Sequence, residues 1–565
     1  MTEMDPQNNE AHVSERILEW ALIGYMVCLA VAYLLISGRR FFNFDEFQVV
    51  YASAAILRKG SLYGAQIGTH FPLANLVMSV PSRLLGFEAA VLIISRYMIF
   101  TLNAIMLLYT YRIGSLLWRR KAGLLAVCMV LSSFVFLEKG IEIRHDVFNT
   151  LFNVMGAYYG IAYLDKKRPV HLLFSALYFG LALASTQKAI IFVGGFVIGM
   201  LIYMALHEEC RQSIGRAALA YLLLIPIPLV ICLLVLVGAG NDTADDFWKY
   251  AVKDVVIGFS PLTETLYPFP YKKLDLFKTL FVANPVLYVL CISGVVLTLL
   301  SKRERRSKRM IIGLWAAVGL VFYLTSKRPF FQTFLPAIPP LAILGGGLLS
   351  SIWEDTSWKW KPMPRRIVGI VCFFFLFALP VPSILARVDI DKRFETALVN
   401  ASFCVENLEK DDKVLCFTQN QIFFDPLMSM SNEECGGRIY DYDADCFEKK
   451  MIQAQCRVII YDYRTQLLNQ EVKKRIAENY IKARRGDILI PGFLIPPGQT
   501  LSKRIWIMGS YYCPTQSLDI DGENLDENIV FLNQGHHTFI NMTDRPVTLV
   551  YVFDPDSLKK SLSNL

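Results

Sequence analysis

Charge is scarce in this chain. Only 19% of its 565 residues are Asp, Glu, Lys or Arg, whereas 54% are hydrophobic and 13% aromatic. A soluble globular domain carries about a quarter charged residues, so that class is excluded for the whole. With a mean hydropathy of +0.39, the balance is that of an integral membrane protein. The opening stretch MTEMDPQNNEAHVSERILEW lacks the basic region and small-residue cleavage site of a secretory signal, so the first apolar segment is expected to stay as a span. The 12 cysteines show no CxxC spacing, which argues against a structural zinc motif. No clear internal repeat is visible, and a repeat is what a secondary transporter would lead one to expect. The net charge of +8 is spread over short loops rather than gathered in one tract, and no nucleic-acid partner is expected.

What is present is a series of apolar segments, about eleven, of near-membrane length. They run over residues 17–37, 88–111, 122–137, 147–164, 170–184, 189–206, 217–238, 284–300, 310–325, 331–350 and 367–386. Alternate loops read WRRKAG, DKKRP, HEECRQSIGR, SKRERRSKR and WKWKPMPRR. By the positive-inside rule these five share the cytoplasmic side, so the N-terminus lies inside and the long polar tail outside. Arg39 and Arg40, just beyond the first span, run against that rule and suggest contacts with outer-leaflet phosphates. The segment EFQVVYASAAILRKG places Phe47, Val50, Tyr51 and Ala54 on one helical face, as expected of a helix lying in the membrane interface, with a simple surface loop as the lesser alternative. FPLANLVMSVPSRLLG offers a second such helix.

Ionisable residues collect on the outer side. Asp45 and Glu46 follow the first span, and His70 stands in GTHFPLANL. Glu142, Arg144, His145 and Asp146 stand in EKGIEIRHDVFNT, Lys188 in the short turn STQK, and Lys327 and Arg328 in TSKRPFFQTFLP. Such residues at membrane depth are costly and point to function by default. Lys188 in so tight a turn calls for an acidic partner, and Asp146 is the natural candidate. The cations suit a phosphate, through charge-assisted hydrogen bonds, and a carboxylate beside them suits a general base acting on an acceptor hydroxyl or amine. Singly, each has a structural reading: Lys327 and Arg328 as snorkelling anchors, Arg144 as a partner of Asp146.

In their order and spacing these motifs resemble the GT-C superfamily of polyprenyl-phosphate-dependent glycosyltransferases, and within it the protein O-mannosyltransferases and the bacterial aminoarabinose transferases. FDEF resembles the family's Asp-Glu pair in the first outer loop. THFPLANLV resembles the basic-Pro-Pro-Leu stretch after it, IRHDVFNTLFNVMGAYY the Arg-x-Asp opening of a span, and FYLTSKRPFFQTFLPAIPPLAILGGGL the Ser-Lys, aromatic, Leu-Pro pattern near the end of the membrane part. STQKAIIF matches a Thr-Lys turn more loosely. The resemblance covers about residues 10 to 390. It implies Asp45 as catalytic base in an inverting transfer, with Glu46 orienting acceptor, donor or a metal ion. It also implies His70, Lys327 and Arg328 at the donor phosphate, with Asp146 and Lys188 paired to shape the pocket. The chain departs from the pattern at Phe71, in place of the first proline, and at Thr69, where some relatives carry an acidic metal ligand. A divalent metal ion is therefore left open. The partners implied are a polyprenyl-phosphate-linked sugar, membrane lipid, and a glycan, lipid or protein acceptor. The location implied is a bacterial inner (plasma) membrane, with the active site and tail in the periplasm or outside. A transporter or lipid flippase, or a non-catalytic scaffold for the tail, are the competing classes.

The expected architecture is a multi-span α-helical membrane domain over residues 1–386, then a small α/β module over 387–485 and a β-sandwich, jelly-roll-like module over 486–565. KVLCFTQ, RIYDYD and CRVIIYDYR read as strands and EVKKRIAENYIKARR as an amphipathic helix. Six cysteines lie in the tail, and Cys435 with Cys446 is the first pairing to expect in an oxidising compartment. His536 and His537 carry a weak metal reading against that of a surface strand. Sequons occur at Asn241, Asn400 and Asn541. The long loop 239–283, rich in aromatic residues and proline, is expected to cover the active site.

Overall fold

The computed structural model describes residues 6–63, 70–238, 242–249, 251–252, 273–301, 307–325, 330–354, 362–389, 391–409, 412–417, 424–427, 431–432, 435, 437–462, 464–483, 487–525 and 527–553. Lys327 and Arg328, the sequon at Asn241 and most of the expected covering loop lie outside them.

Every expected span contains helix. The first eight long helices are α1 (Pro6–Ser37), α2 (Phe44–Lys59), α3 (Leu73–Leu85), α4 (Ala90–Leu117), α5 (Arg120–Leu131), α6 (His145–Lys166), α7 (Pro169–Ser185) and α8 (Ala189–Leu206). Among the described residues five helices are long and apolar enough to cross a membrane: Arg16–Ser37, α4, α8, Ile214–Gly238 and Phe331–Trp353. A sixth candidate, Phe277–Ala283 with Pro285–Leu300, bends by 110°. The bend falls at Asn284, where the proline that follows removes a backbone donor. The other expected spans are shorter or more polar. The α6 helix carries Asn149, Thr150 and Asn153, all buried, as polar residues in a membrane bundle face its interior.

Close packing comes from small residues. A Cβ built on Gly114 of α4 would stand 2.8 Å from the Cα of Gly123 in α5, so these helices approach backbone to backbone. The segment read as a span over 122–137 is interrupted: α5 ends at Leu131, and a π-helical turn, Phe136–Gly140, follows.

The α2 helix is buried more completely than an interfacial helix would be. Phe47, Val50, Tyr51 and Ala54 are buried, and so are Val49, Ala52, Ser53 and Ala55. It packs on α3 and inside the protein, not on a lipid surface. Its ends follow from sequence. Asn43 and Glu46 form a capping box at the start. Gly60, at φ 62°, closes the last turn in the left-handed region, its N–H donating to the Ile56 carbonyl.

The C-terminal region departs from the expected division. Strands Lys413–Leu415 and Val458–Ile460 are parallel neighbours. Val458–Ile460 then pairs antiparallel with Ile488–Ile495, and Ile488–Ile495 pairs at its other end with Val547–Tyr551. One eight-stranded sheet thus runs through both expected modules. A four-stranded antiparallel sheet, in the order Glu523–Asn524, Leu518–Ile520, Gly535–Asn541, Thr500–Ile505, packs on it to form the sandwich. Phe493 meets Phe539 between the layers at 5.1 Å. RIYDYD is mostly a short 3-10 turn, Ile439–Asp441, rather than a strand. The amphipathic helix ends at Asn479, and Tyr480–Lys482 turns into a strand against Ile488–Ile495. Cys435 and Cys446 form a disulfide. His537 binds Asp521 at 2.6 Å. Among the described residues no group of three or more His, Cys, Asp or Glu side chains is placed to hold a metal ion.

Candidate functional site

The site is built where the start of α2 meets the start of α6. Asp45 and Glu46 are adjacent in α2 yet stand in opposite surroundings. Glu46 is wholly buried. Arg96 of α4 grips it through both oxygens, Nε to Oε1 at 2.8 Å and Nη2 to Oε2 at 2.7 Å. The backbone N–H groups of Ile143 (3.1 Å) and Asn43 (2.9 Å) donate to the same carboxylate. Arg96 also donates to the carbonyls of Ser37, Arg40 and Phe41. This bidentate pair, with its remaining donors and acceptors used, meets the conditions under which a buried ion pair is sustained. Glu46 therefore ties the turn after α1 to α4 and to the approach to α6. Its carboxylate has no capacity left to orient a substrate.

The Asp45 side chain is 38% exposed. Arg144 reaches it with Nη1 at 2.6 Å from Oδ2, and the same Nη1 lies 2.8 Å from Glu142 Oε2. Lys139 donates to Glu142 Oε1 at 2.8 Å, and Arg40 approaches that oxygen at 3.6 Å. Burial raises the Asp45 carboxyl, but Arg144, with Lys139 and His70 behind it, outweighs this and holds it below the ordinary value. Glu142 behaves alike: burial raises it, and Lys139, Arg144 and Arg40 bring it down. Burial also works against the Arg144 charge, yet Asp45, Glu142 and Asp146 together raise its pKa.

Asp146 lies 3.8 Å from Arg144 Nε and 3.6 Å from Lys188 Nζ. The Lys188–Asp146 pairing expected from the tight turn is thus present. The turn is brought level with the start of α6 by the antiparallel α6–α7 pair. Its register is fixed where Ser175 donates to the Gly156 carbonyl at 2.8 Å. His70 and His145 meet with ring centroids 4.4 Å apart and planes tilted by 42°, and His70 shares a hydrogen bond of 3.3 Å with Gln187. Burial, reinforced by Lys188, pulls His70 down to about 4. Its imidazole is therefore uncharged near pH 7 in this structure, whereas the sequence reading counted it among the cations.

The long loop begins against this site. Asp242 accepts from the backbone N–H groups of Leu62 and Tyr63 and from Ser61. Tyr63 donates its hydroxyl to the His70 carbonyl at 2.8 Å, and Gln187 donates to the Ala251 carbonyl.

Asp45, His70, Arg144, Asp146 and Lys188 are thus brought together, while Lys327 and Arg328 are not described. Arg40 does not face outward to lipid phosphates. It donates to the Leu137 and Glu138 carbonyls and pairs with the Glu138 carboxylate at 2.7 Å. Arg39 donates to the Val388 carbonyl. Sequence reasoning missed Arg96, Lys139, Glu138 and Gln187. Arg96 had a signal: a lone arginine inside the apolar run AVLIISRYMIFTLN.

The described residues build a helical bundle with several membrane-length helices and a C-terminal region of two packed sheets. Residues 69–237 match the model of the dolichyl-phosphate-mannose-protein mannosyltransferase family. That stretch holds His70, Arg144, Asp146 and Lys188. The chain is similar to ArnT from Cupriavidus metallidurans in the apo state (12% identity, TM-score 0.56, covering 84% of this chain and 98% of that one). It is also similar to the Archaeoglobus fulgidus oligosaccharyltransferase in the apo form (10% identity, TM-score 0.52, covering 81% and 73%). A third likeness is to AglB from Archaeoglobus fulgidus in complex with an inhibitory peptide and a dolichol-phosphate (10% identity, TM-score 0.51, covering 91% and 74%). No curated protein sequence matches the chain. The resemblance read from the motifs therefore extends to the fold.

Proposed function

We propose that the protein is an integral membrane glycosyltransferase that moves a sugar from a polyprenyl-phosphate donor to a lipid, glycan or protein acceptor on the outer side of the membrane, with inversion. The observation that carries this reading is the half-exposed Asp45 carboxylate, held ionised by Arg144 beside the Lys188–Asp146 pair.

The chemistry follows from that placement. The acceptor hydroxyl loses its proton to Asp45 as its oxygen bonds to the anomeric carbon. The bond from that carbon to the phosphate oxygen breaks, and the polyprenyl phosphate leaves with the electron pair. Lys188 supplies positive charge near the leaving phosphate, with Lys327 and Arg328 assigned there from the sequence motif. Glu46 has a positioning role, through Arg96. The five basic loops set the orientation, and the Cys435–Cys446 disulfide suits an oxidising, extracytoplasmic tail. A bacterial inner membrane with a periplasmic active site satisfies both.

The test uses the purified full chain with radiolabelled polyprenyl-phosphate sugars, repeated with Asp45→Asn. Transfer that falls about 10²- to 10⁴-fold in the variant, at a nearly unchanged donor KM, is the expected result. Transfer undiminished in the variant would remove Asp45 as base. No transfer from any donor would remove the reading itself.

A further inference from the structure

The turn Arg39–Phe44, which leads into Asp45, is gripped residue by residue by the chain after the last span. Arg39 donates to the Val388 carbonyl and accepts at its own carbonyl from the Asp391 N–H at 3.1 Å. The Phe41 ring lies under the Arg393 guanidinium at 4.0 Å. Phe42 stacks on Phe394 at 5.3 Å. Phe44, the residue immediately before Asp45, lies under the Arg464 guanidinium at 3.9 Å.

Arg464 comes from the α/β module. It follows strand Val458–Ile460, at the carboxyl end of the parallel pair, the edge at which α/β sheets commonly bind ligands. Here that edge holds a residue of the same chain. Arg464 is buried. Its Nη1 donates to the Phe417 carbonyl beyond the neighbouring strand at 3.2 Å. Asp462 accepts from the N–H groups of Arg464 and Thr465 at 2.8 and 2.9 Å. The backbone of Arg464 is thus anchored after one parallel strand and its guanidinium after the other, before it meets Phe44. A cation over an aromatic face is attracted by the ring quadrupole, more strongly when desolvated, and here it acts on the first turn of the helix that carries Asp45.

We propose that Arg464 is a positioning residue for Asp45, and that the C-terminal α/β module sets the stance of the base by holding Phe44. The inference rests on the glycosyltransferase reading for the role of Asp45, but not for the contact itself. A misplacement of about 1 Å can cost a hundredfold in rate, so the module belongs to the catalytic apparatus without touching substrate.

The test compares full-length Arg464→Gln, Arg464→Lys, Phe44→Leu and the Arg464→Gln/Phe44→Leu double variant, by initial rates and by hydrogen exchange of the amides of residues 45–48. Arg464→Gln is expected to lower kcat by about 10- to 100-fold, with donor KM changed by less than about threefold, and to speed exchange in that first turn. Arg464→Lys keeps the cation and restores most of both readouts. Phe44→Leu leaves the Arg464 bonds to Phe417 and Asp462 in place and reproduces the loss, and the double variant is no worse than either single one. Unchanged exchange in Arg464→Gln, or faster exchange with unaltered kcat, would overturn the proposal. A wild-type protein inactive with every donor would instead count against the glycosyltransferase reading, and the exchange measurement would still decide whether Arg464 holds α2.

Discussion

Arg144 Nη1 stands between two carboxylates, 2.6 Å from Asp45 Oδ2 and 2.8 Å from Glu142 Oε2. Asp45 is half-exposed and Glu142 buried. One guanidinium nitrogen therefore joins the acid that can meet a substrate to the acid that cannot.

Replacing Arg144 with Met separates these two connections. Glu142 keeps Lys139 but loses its closest arginine, and removing one partner of a buried pair costs about 3–5 kcal/mol. Asp45 loses the charge that holds its pKa down. Thermal unfolding in detergent should fall, and the activity that survives should need higher pH. A variant with wild-type melting and an unshifted pH profile would show that Arg144 does neither.

Glu46→Gln and Arg96→Met each leave a buried charge without its counterpart, and each is expected to cost about 3–5 kcal/mol. The combined Glu46→Gln/Arg96→Met variant should cost less than the sum, because the two share one interaction. Denaturation of the four proteins, wild type included, reads this directly. Additive losses would mean that the pair is not coupled.

The pH dependence has a definite sign. Asp45 and His70 both have pKa values lowered in the folded protein, His70 from 6.5 to about 4. Lowered values mean that the folded state resists protonation. The stability each contributes is complete above its unfolded pKa and is lost as pH falls, for His70 between 6.5 and about 4. The kcat/KM profile should accordingly stay level from pH 7 down to about 5, since Asp45 remains a carboxylate there. An acid limb centred near the ordinary histidine value would contradict this.

Two of the sequons are structurally closed. Asn400 is buried and accepts from the Asp487 N–H; Asn541 is buried and donates to the carbonyls of Ile495, Pro496 and Arg545. Expression in a glycosylating host should give folded protein without glycan at either site. Intact mass and peptide mapping check it, and substantial occupancy at Asn541 would mean that the β-sandwich closes only after modification.

The spans and the α2 helix were legible because their cause is local, apolar residues at membrane length or at helical spacing; the Asn43–Glu46 capping box and the left-handed Gly60 that bound α2 went unread, though they too are local. The Lys188–Asp146 pair was legible because the desolvation cost of a lysine in a tight turn demands a nearby acid. The Glu46–Arg96 clamp was not, since its partners lie 50 positions apart and depend on how α4 crosses α2. The contacts of Arg464 with Phe44, and of Arg40 with Glu138, join segments still more distant or set by helix packing. The sheet running through both halves of the tail was hidden for another reason. Ile488–Ile495 reads simply as one more strand, and pairing partners carry no local signature.

That shared strand constrains how such proteins can diversify. Recombination at the apparent seam near residue 486 would carry off the strand that completes the α/β sheet. The same α/β sheet supports the arginine over Phe44. A tail exchanged for new acceptor recognition would therefore arrive with a new footing for the base. Descendants of this chain inherit the two ends together or rebuild both.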